Sequence, residues 1–319
     1  MGRFIRTIAT VLVALGLVLA SLAGAAGAAA QDEDKPTVVV GSKDFTEQII
    51  VAEMVALLLE DNGYNVERQL NLGGTAVVHQ ALVSGEIDIY VEYTGTGLLA
   101  ILGQELPEVD AAGATPAADS GQDQVYEIVS SEYEAQFGLE WLEPWGFNNT
   151  YALAVTQETA EEYDLRTISD LEAVAGEMTF GATQEFLVRE DGLPGLEAAY
   201  GFEFGDEQGL DPGLVYSAVA EGQVDVISAF ATDGRIEALD LVLLEDDLGF
   251  FPPYYAAPVV SQELLEQSPE IRDILNQLAG TIDDSTMAQL NLRVDEGGES
   301  EIDVARSYLE EQGLIGSDG

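Results

Sequence analysis

The chain has 319 residues, with 59 Asp and Glu against 11 Lys and Arg, which gives a formal net charge of −48. Nucleic-acid-binding proteins use a basic patch to meet the phosphate backbone, so this composition argues against a nucleic-acid partner. The chain has no cysteine, which excludes disulfides, thiolate metal sites and a cysteine nucleophile. Because 47% of its residues are hydrophobic, we expect a folded core rather than disorder.

Residues 1–30 have the pattern of a secretory signal peptide. Arg3 and Arg6 precede an apolar run, and a stretch of Ala and Gly leads from that run to Ala30. A basic start, an apolar middle and small residues before the cleavage site are typical of such leaders. We predict cleavage near Ala30 and export to the periplasm or to the extracellular face of the membrane. The alternative is an uncleaved anchor, because the apolar stretch approaches the roughly 20 residues that a membrane span needs.

The segments that follow predict strands and helices in alternation. In chain order, we predict a strand at 38–40, a helix at 47–61, a strand at 66–70, a helix at 75–83 and a strand at 87–91. Strands separated by helices imply parallel βαβ units. Residues 110–124 are rich in Ala, Gly, Asp and Ser, and we predict a surface loop there.

Two segments of the chain repeat each other. Residues 81–93 and 218–230 align without gaps, and each runs from a helix end through a glycine into a strand that ends in an aromatic residue. We infer two similar α/β lobes. Ligands of open α/β sheets bind outside the carboxyl ends of the strands. The predicted strand ends that would face a cleft are Lys43, Tyr93, Thr183 and Phe230.

The sequence contains no motif that predicts an enzyme. The stretch Gly-Thr-Gly-Leu-Leu-Ala at residues 95–100 resembles a dinucleotide fingerprint, but it follows the third strand rather than the first, and we favour a ligand-contacting helix start. His79, the one histidine, is expected to be structural. The serines lack a G-x-S-x-G context, and so many carboxylates form close pairs by chance. We therefore predict no catalytic residue, no metal and no cofactor.

Basic and aromatic residues at the predicted strand ends point to a binding site. Lys43 and Arg189 have the chemistry to hold an anionic group of a ligand, although each is also open to the alternative of a salt bridge to one of the many acids. Aromatic faces attract quaternary ammonium ions, with about 0.5–2 kcal/mol per ring. Each aromatic residue alone suits a core, but together they favour an aromatic box and hence a zwitterionic ligand. The box would contain Tyr93, Tyr151, Phe230 and the pair Tyr254 and Tyr255.

At these residues the chain resembles the glycine betaine/choline-type substrate-binding proteins of ABC osmoprotectant importers. The resemblance covers residues 37–313. It implies an α/β, two-lobed periplasmic-binding-protein fold of type II, in which each lobe is a βα sheet sandwich and the chain crosses between the lobes twice. Lobe 1 would contain residues 37–147 and 248–319, and lobe 2 residues 148–247. The matching blocks are residues 41–48, 70–75, 88–96, 146–153, 231–236 and 251–258.

The resemblance also implies roles for individual residues. The family's aromatic cage falls on Tyr93, Tyr151 and Tyr254; we favour Tyr254 over Tyr255 and leave that choice open. At position 230 this chain has Phe where the family usually has Tyr. The remaining implied site residues are Thr96 beside the cage, Lys43 and Arg189 as carboxylate-binding groups, and Glu185 and Asn149 in the cleft lining.

The implied function is the capture of a quaternary ammonium osmoprotectant, glycine betaine before choline because choline has no carboxylate. A monomer would pass this osmolyte to a membrane permease without changing it chemically. The alternative is a receptor of the same fold for an amino acid, ectoine or a polyamine. The scarcity of lysine in so acidic a chain also fits adaptation to high salt.

Overall fold

The computed structural model describes residues 35–107 and 119–316. The predicted signal peptide at residues 1–30 lies outside these ranges, as do residues 110–118 of the predicted loop. The described residues from Pro36 onward belong to one compact unit. Within the described ranges, no helix is both long and apolar enough to cross a membrane.

Strands of the described chain form two sheets of five strands each. Their bounds are β1 Thr37–Gly41, β2 Asn65–Gln69, β3 Ile89–Tyr93, β4 Leu139–Trp141, β5 Tyr151–Thr156, β6 Thr179–Thr183, β7 Asp206–Leu210, β8 Val226–Phe230, β9 Leu241–Leu244 and β10 Ala256–Ser261.

Helices occupy most of the connections between these strands. The α-helices are α1 Thr46–Asp61, α2 Thr75–Ser84, α3 Thr94–Thr96, α4 Asp119–Phe137, α5 Gln157–Tyr163, α6 Leu193–Tyr200, α7 Val215–Ala220, α8 Arg235–Ala238, α9 Gln262–Gln267, α10 Ile271–Leu275, α11 Asp284–Asp295 and α12 Glu301–Glu311. A π-helical turn covers Gly97–Ile101, and 3-10 turns cover Ile168–Ala173, Ala175–Glu177 and Asn276–Leu278.

The two sheets have the same topology. The first has the order β2-β1-β3-β10-β4 and the second the order β7-β6-β8-β5-β9. In each, three strands run parallel, and a fourth strand pairs antiparallel with the third; this fourth strand is β10, after the three, in the first sheet and β5, before them, in the second. The chain passes between the sheets twice, from β4 to β5 and from β9 to β10. This is the two-lobed α/β fold with two crossovers that the resemblance implies, while the lobe limits at residues 147 and 248 stay a prediction.

The two copies of the repeat occupy equivalent places, since one ends in β3 and the other in β8. Gly85 and Gly222 both end a helical turn with a positive φ, at 74° and 68°, a backbone region that side chains disfavour. Asp88 accepts a hydrogen bond from the backbone N–H of Val39 at 2.8 Å, and Asp225 accepts one from the N–H of Thr179 at 2.7 Å. Each aspartate thus fastens its own strand to the neighbouring parallel strand.

Two predicted elements need correction. The third strand is Ile89–Tyr93 rather than residues 87–91, because the Asp88 side chain takes the backbone bond that would have continued the ladder, while the last residues of the strand are buried. Residues 119–124, predicted as loop, are the start of α4. The small polar residues that suggested a loop there are also compatible with the first turns of a helix.

Helix α1 lies against the first sheet, and its first turn lies next to the candidate site. Its predicted apolar residues are buried, and so are most residues on its other faces, which is typical of a helix enclosed by its surroundings. It ends at Asn62 and Gly63, where φ is +82°. Its N-terminus follows directly on the loop that leaves β1, so its first turn lies at the carboxyl edge of the sheet.

Candidate functional site

The carboxyl ends of the parallel strands surround a cavity of about 420 Å³, a size within the usual range of small-ligand sites. Strands β5 and β10 run antiparallel to their neighbours, so their first residues reach the same edge. Every site residue predicted from the sequence lines this cavity. They are Lys43, Tyr93, Thr96, Asn149, Tyr151, Glu185, Arg189, Phe230 and Tyr254.

Other lining residues were missed by the sequence reasoning. Asp44 and Phe45 follow Lys43 in the loop after β1, and Asp211 and Pro212 follow β7. The strand-end rule, applied to every strand, would have found them. Tyr255 does not line the cavity, since successive residues of an extended chain point to opposite faces.

Aromatic rings form one continuous wall of the cavity. The ring centroid of Tyr151 lies 5.2 Å from that of Phe230 and 5.4 Å from that of Tyr254. Phe45 stacks on Phe230 at 5.3 Å and lies 6.3 Å from Tyr93. Tyr151 and Phe230 are directly paired in the antiparallel ladder of β5 and β8, which places their side chains on the same face of the sheet.

Two of the tyrosine hydroxyls are engaged by buried acids. Tyr93 donates to Glu47 at 2.7 Å, and Tyr254 donates to Asp191 at 2.9 Å. Burial, followed by the nearby carboxylates, raises the pKa of both phenols well above their usual value, so they are neutral donors. Their ring faces rather than their hydroxyls are what they offer to a ligand.

Lys43 is buried and ion-paired. Its Nζ lies 2.6 Å from Oε1 of Glu92, and the two side chains are 4% and 0% exposed. Glu92 also accepts hydrogen bonds from the hydroxyl of Tyr90 at 3.1 Å and from the backbone N–H of Tyr93 at 2.7 Å. The salt bridge that the sequence left open as an alternative is therefore present at Lys43, although Lys43 still lines the cavity.

Arg189 is engaged in the same way by two acids. Its guanidinium bonds Asp191 through two nitrogens and Glu185 at 2.9 Å, and it reaches Oγ1 of Thr96 at 3.4 Å. Burial alone would raise the pKa of Glu185, but the charges of Lys43 and Arg189 lower it below its usual value. Both basic groups of the predicted clamp thus face the cavity with their charges already compensated.

Glu185 also connects elements of the two sheets. It follows β6 of the second sheet, and its Oε2 accepts a hydrogen bond from the backbone N–H of Thr75 at 3.2 Å, in the first turn of α2. Gly74 makes this approach possible, because a Cβ at that position would lie 2.6 Å from Oε2 of Glu185. The helix N-terminus favours a negative charge at this point.

The glycines of the fingerprint-like stretch serve packing. A Cβ on Gly95 would lie 2.8 Å from the ring of Tyr254, and one on Gly97 would lie 2.8 Å from the ring of Trp141. The stretch does start a helix, at Thr94. His79 contacts the rings of Tyr133 and Phe137, in keeping with the structural role expected of it.

Comparisons with known proteins agree with this architecture. Residues 36–311 match the family model of the substrate binding domain of the ABC-type glycine betaine transport system. The carnitine transport binding protein of Listeria monocytogenes is 36% identical, with 97% of this chain and 96% of that protein covered. A glycine-betaine-binding protein of Pseudomonas aeruginosa is also 36% identical, with coverage of 99% and 96%.

A combined ergothioneine transport permease and binding protein of Helicobacter pylori is 38% identical over 88% of this chain, which spans only 48% of that longer protein. Among solved structures, a glycine betaine/carnitine/choline ABC transporter protein superposes with a TM-score of 0.68 at 33% identity, covering 87% of this chain and 99% of the other. The unliganded YehZ of Escherichia coli gives 0.60 at 34% identity, with coverage of 88% and 99%.

These relatives are transport binding proteins rather than enzymes, as the sequence predicts. The family model covers most of the chain, and the two relatives of similar length match it almost from end to end. The chain belongs to the family of substrate-binding domains of ABC-type glycine betaine transport systems.

Proposed function

We propose that this protein binds a quaternary ammonium osmoprotectant, glycine betaine in preference to choline, in the 420 Å³ cavity and delivers it to a membrane permease. It acts as a monomer on the outer side of the membrane. The observation that carries the proposal is the aromatic wall made by Phe45, Tyr93, Tyr151, Phe230 and Tyr254. A trimethylammonium group offers no hydrogen-bond donor, and aromatic faces attract its charge without needing one.

Lys43 and Arg189 would hold the ligand's carboxylate. The donors of Arg189 are shared with Glu185, which itself has the backbone N–H of Thr75 as a second partner. A ligand carboxylate therefore has a cation and a helix N-terminus to bind if Glu185 turns aside. The names of the relatives support this choice, because carnitine and ergothioneine, like glycine betaine, are carboxylates that carry a trimethylammonium group.

Choline is the second candidate, and one observation favours it. Both basic groups are already paired with acids, and Asp44 and Asp211 add negative charge to the lining. A cation without a carboxylate would meet no repulsion from these groups. If choline binds more tightly than glycine betaine, the carboxylate-binding role of Lys43 and Arg189 is wrong.

Calorimetric titration of the mature protein with glycine betaine, carnitine and choline tests the proposal. A thermal-shift panel that adds ectoine, an amino acid and a polyamine tests the alternative ligands, because a ligand that binds only the folded state raises the melting temperature. We expect glycine betaine to give the largest shift. The absence of binding by any methylated ammonium compound, together with binding of ectoine or an amino acid, would overturn the proposal.

A further inference from the structure

Glu47, in the first turn of α1, is a buried acid with four hydrogen-bond donors around it. It is 3% exposed. Its Oε1 accepts from the hydroxyl of Tyr93 and from Nδ2 of Asn149, both at 2.7 Å. Its Oε2 accepts from the hydroxyl of Thr232 at 2.5 Å and from Nδ2 of Asn291 at 3.1 Å. These four bonds occupy the lone pairs of a carboxylate.

The arrangement fits the ionised form of Glu47. Nδ2 of Asn291 also donates to the backbone carbonyl of Thr232 at 2.9 Å, which fixes the amide with its N–H groups toward Glu47. Burial raises the pKa of Glu47 above its usual value, and the hydrogen bonds from its four neighbours reduce that rise without removing it. A protonated carboxyl would bring a fifth hydrogen into a cluster that already supplies four, so the hydrogen bonding favours the charge.

This charge differs from those of the other buried acids near the cavity. Glu92 and Asp191 are paired with Lys43 and Arg189. Across residues 35–107 and 119–316, no lysine or arginine lies within ion-pair distance of Glu47. Hydrogen-bond dipoles stabilise it, and Lys43, whose Nζ lies 5.2 Å from the ring centroid of Tyr93, is paired with Glu92 instead.

The charge is also close to the aromatic wall. Tyr93 and Asn149 line the 420 Å³ cavity, and Glu47 lies one hydrogen bond behind both. Glu47 itself lines an adjoining cavity of about 170 Å³, which shares Phe45 and Phe230 with the larger one. A phenol that donates to a carboxylate has a more electron-rich ring, so the hydrogen bond also strengthens the attraction of the Tyr93 face for a cation.

We propose that Glu47 is the counter-charge of the ligand's cationic head: a residue that does not touch the ligand but selects cations over neutral groups of the same shape. The inference rests on the proposed function. A permanent cation cannot donate a hydrogen bond or give up its charge, so a field from behind the aromatic wall stabilises it where a direct polar contact is unavailable to it. Salt screens surface carboxylates strongly and a buried carboxylate much less.

The test compares each ligand with an isostere in which an uncharged tert-butyl group replaces the trimethylammonium group, so that each pair differs only in the charge of the head. Affinities of wild type and Glu47→Gln for glycine betaine, choline and both isosteres are measured by calorimetry. From a distance of roughly 8 Å in a medium of effective dielectric constant about 20, the loss of the charge weakens cation binding about tenfold or more. Binding of the isosteres is expected to change by less than about twofold.

Glu53→Gln is the matched control, because Glu53 lies on the same helix, is buried, and pairs with Arg68 at 2.7 Å away from the cavity. It is expected to leave the ratio of cation to isostere affinity unchanged. Glu47→Asp keeps the charge but retracts it from Tyr93, and is expected to retain part of the ratio. If Glu47→Gln does not melt cooperatively, Glu47→Asp carries the test through the same ratio.

Equal losses for cations and isosteres, or no loss at all, would overturn the inference and leave Glu47 as a structural residue, with the proposed function intact. Failure of the wild-type protein to bind any quaternary ammonium compound would overturn the proposed function first, and the inference with it. The two failures are distinguishable because the second appears before any substitution is made.

Discussion

Replacement of Lys43 by Met separates its structural role from a role in ligand binding. The substitution removes the cation and leaves Glu92, whose side chain is 0% exposed, without its ion-pair partner. Breaking a buried pair from one side costs about 3–5 kcal/mol. Glu92 keeps hydrogen bonds from Tyr90 and from the N–H of Tyr93, so we expect about 3 kcal/mol, the lower end of that range.

With an unfolding entropy of about 2.1 cal/mol/K per residue and roughly 280 folded residues, that loss lowers the melting temperature by about 5 °C. Urea unfolding gives the free energy directly. The double variant Lys43→Met with Glu92→Gln removes both charges, and it is expected to recover at least about 1 kcal/mol of the loss. Arg272→Met is the matched control: Arg272 pairs with Glu140, but the side chains are 37% and 31% exposed, and the expected cost is about 1 kcal/mol or less.

A loss below about 1 kcal/mol in Lys43→Met, or a double variant no more stable than the single one, would refute the reasoning. The same proteins report on the ligand. If Lys43 binds a carboxylate, the double variant loses affinity for glycine betaine and keeps its affinity for choline. If glycine betaine affinity is unchanged, Lys43 serves Glu92 alone.

Three further predictions concern the aromatic wall, the contact of Glu185 with α2, and His79. Tyr254→Ala removes a ring of the aromatic wall and is expected to weaken glycine betaine binding by about 1–2 kcal/mol in calorimetry, while Tyr255→Ala changes it by less than about 0.5 kcal/mol; the reverse order would assign the cage to Tyr255. Gly74→Ala displaces Glu185 from the start of α2 and is expected to destabilise the unliganded protein by about 0.5–1.5 kcal/mol in urea; an unchanged urea midpoint would show that this contact contributes nothing. Burial, and to a lesser degree Lys43, lowers the pKa of His79 from 6.5 to about 4. Between these two pH values the unfolded chain binds a proton at His79 that the folded chain does not, so the free energy of unfolding falls as the pH drops. His79→Phe is expected to lose less stability than wild type between about pH 7 and about pH 5. Equal losses would show that the pKa of His79 is not lowered in the folded protein.

Local patterns were sufficient for the fold and for much of the cavity lining. The Gly–strand–aromatic repeat predicted two equivalent lobes. The signal is reliable because the repeated residues have the same structural roles in both copies: Gly85 and Gly222 adopt a positive φ, and Asp88 and Asp225 each fasten a strand. The rule that ligands bind outside the carboxyl ends of strands predicted, from sequence position alone, that Lys43 lies at the cavity.

Local sequence patterns could not predict which acid each basic residue pairs with. Lys43 meets an acid 49 positions away, and Glu47 meets an amide 244 positions away. With 59 acids in the chain, composition cannot indicate which carboxylate faces which cation. Asp44 and Phe45 were missed for a different reason: they follow Lys43 in the same loop, and the prediction named one residue of a loop that contributes three to the cavity.

The acidity of the chain and the chemistry of the site are connected through burial rather than through net charge. Charges on the surface are screened beyond about 8 Å at physiological salt, so the excess of acids there selects no ligand. At the cavities the basic side chains are buried and compensated: Lys43 by Glu92, Arg189 by Asp191 and Glu185, and Arg235 by Asp233 and Asp295. Lys43 and Glu92 balance each other in formal charge, but each arginine faces two acids, so one acid of each arginine cluster adds to the charge of Glu47 near the aromatic wall. The few cations of the sequence therefore do more than offer groups to a ligand, because each neutralises only one neighbouring acid, and the buried charge that remains has the sign that favours a cationic head.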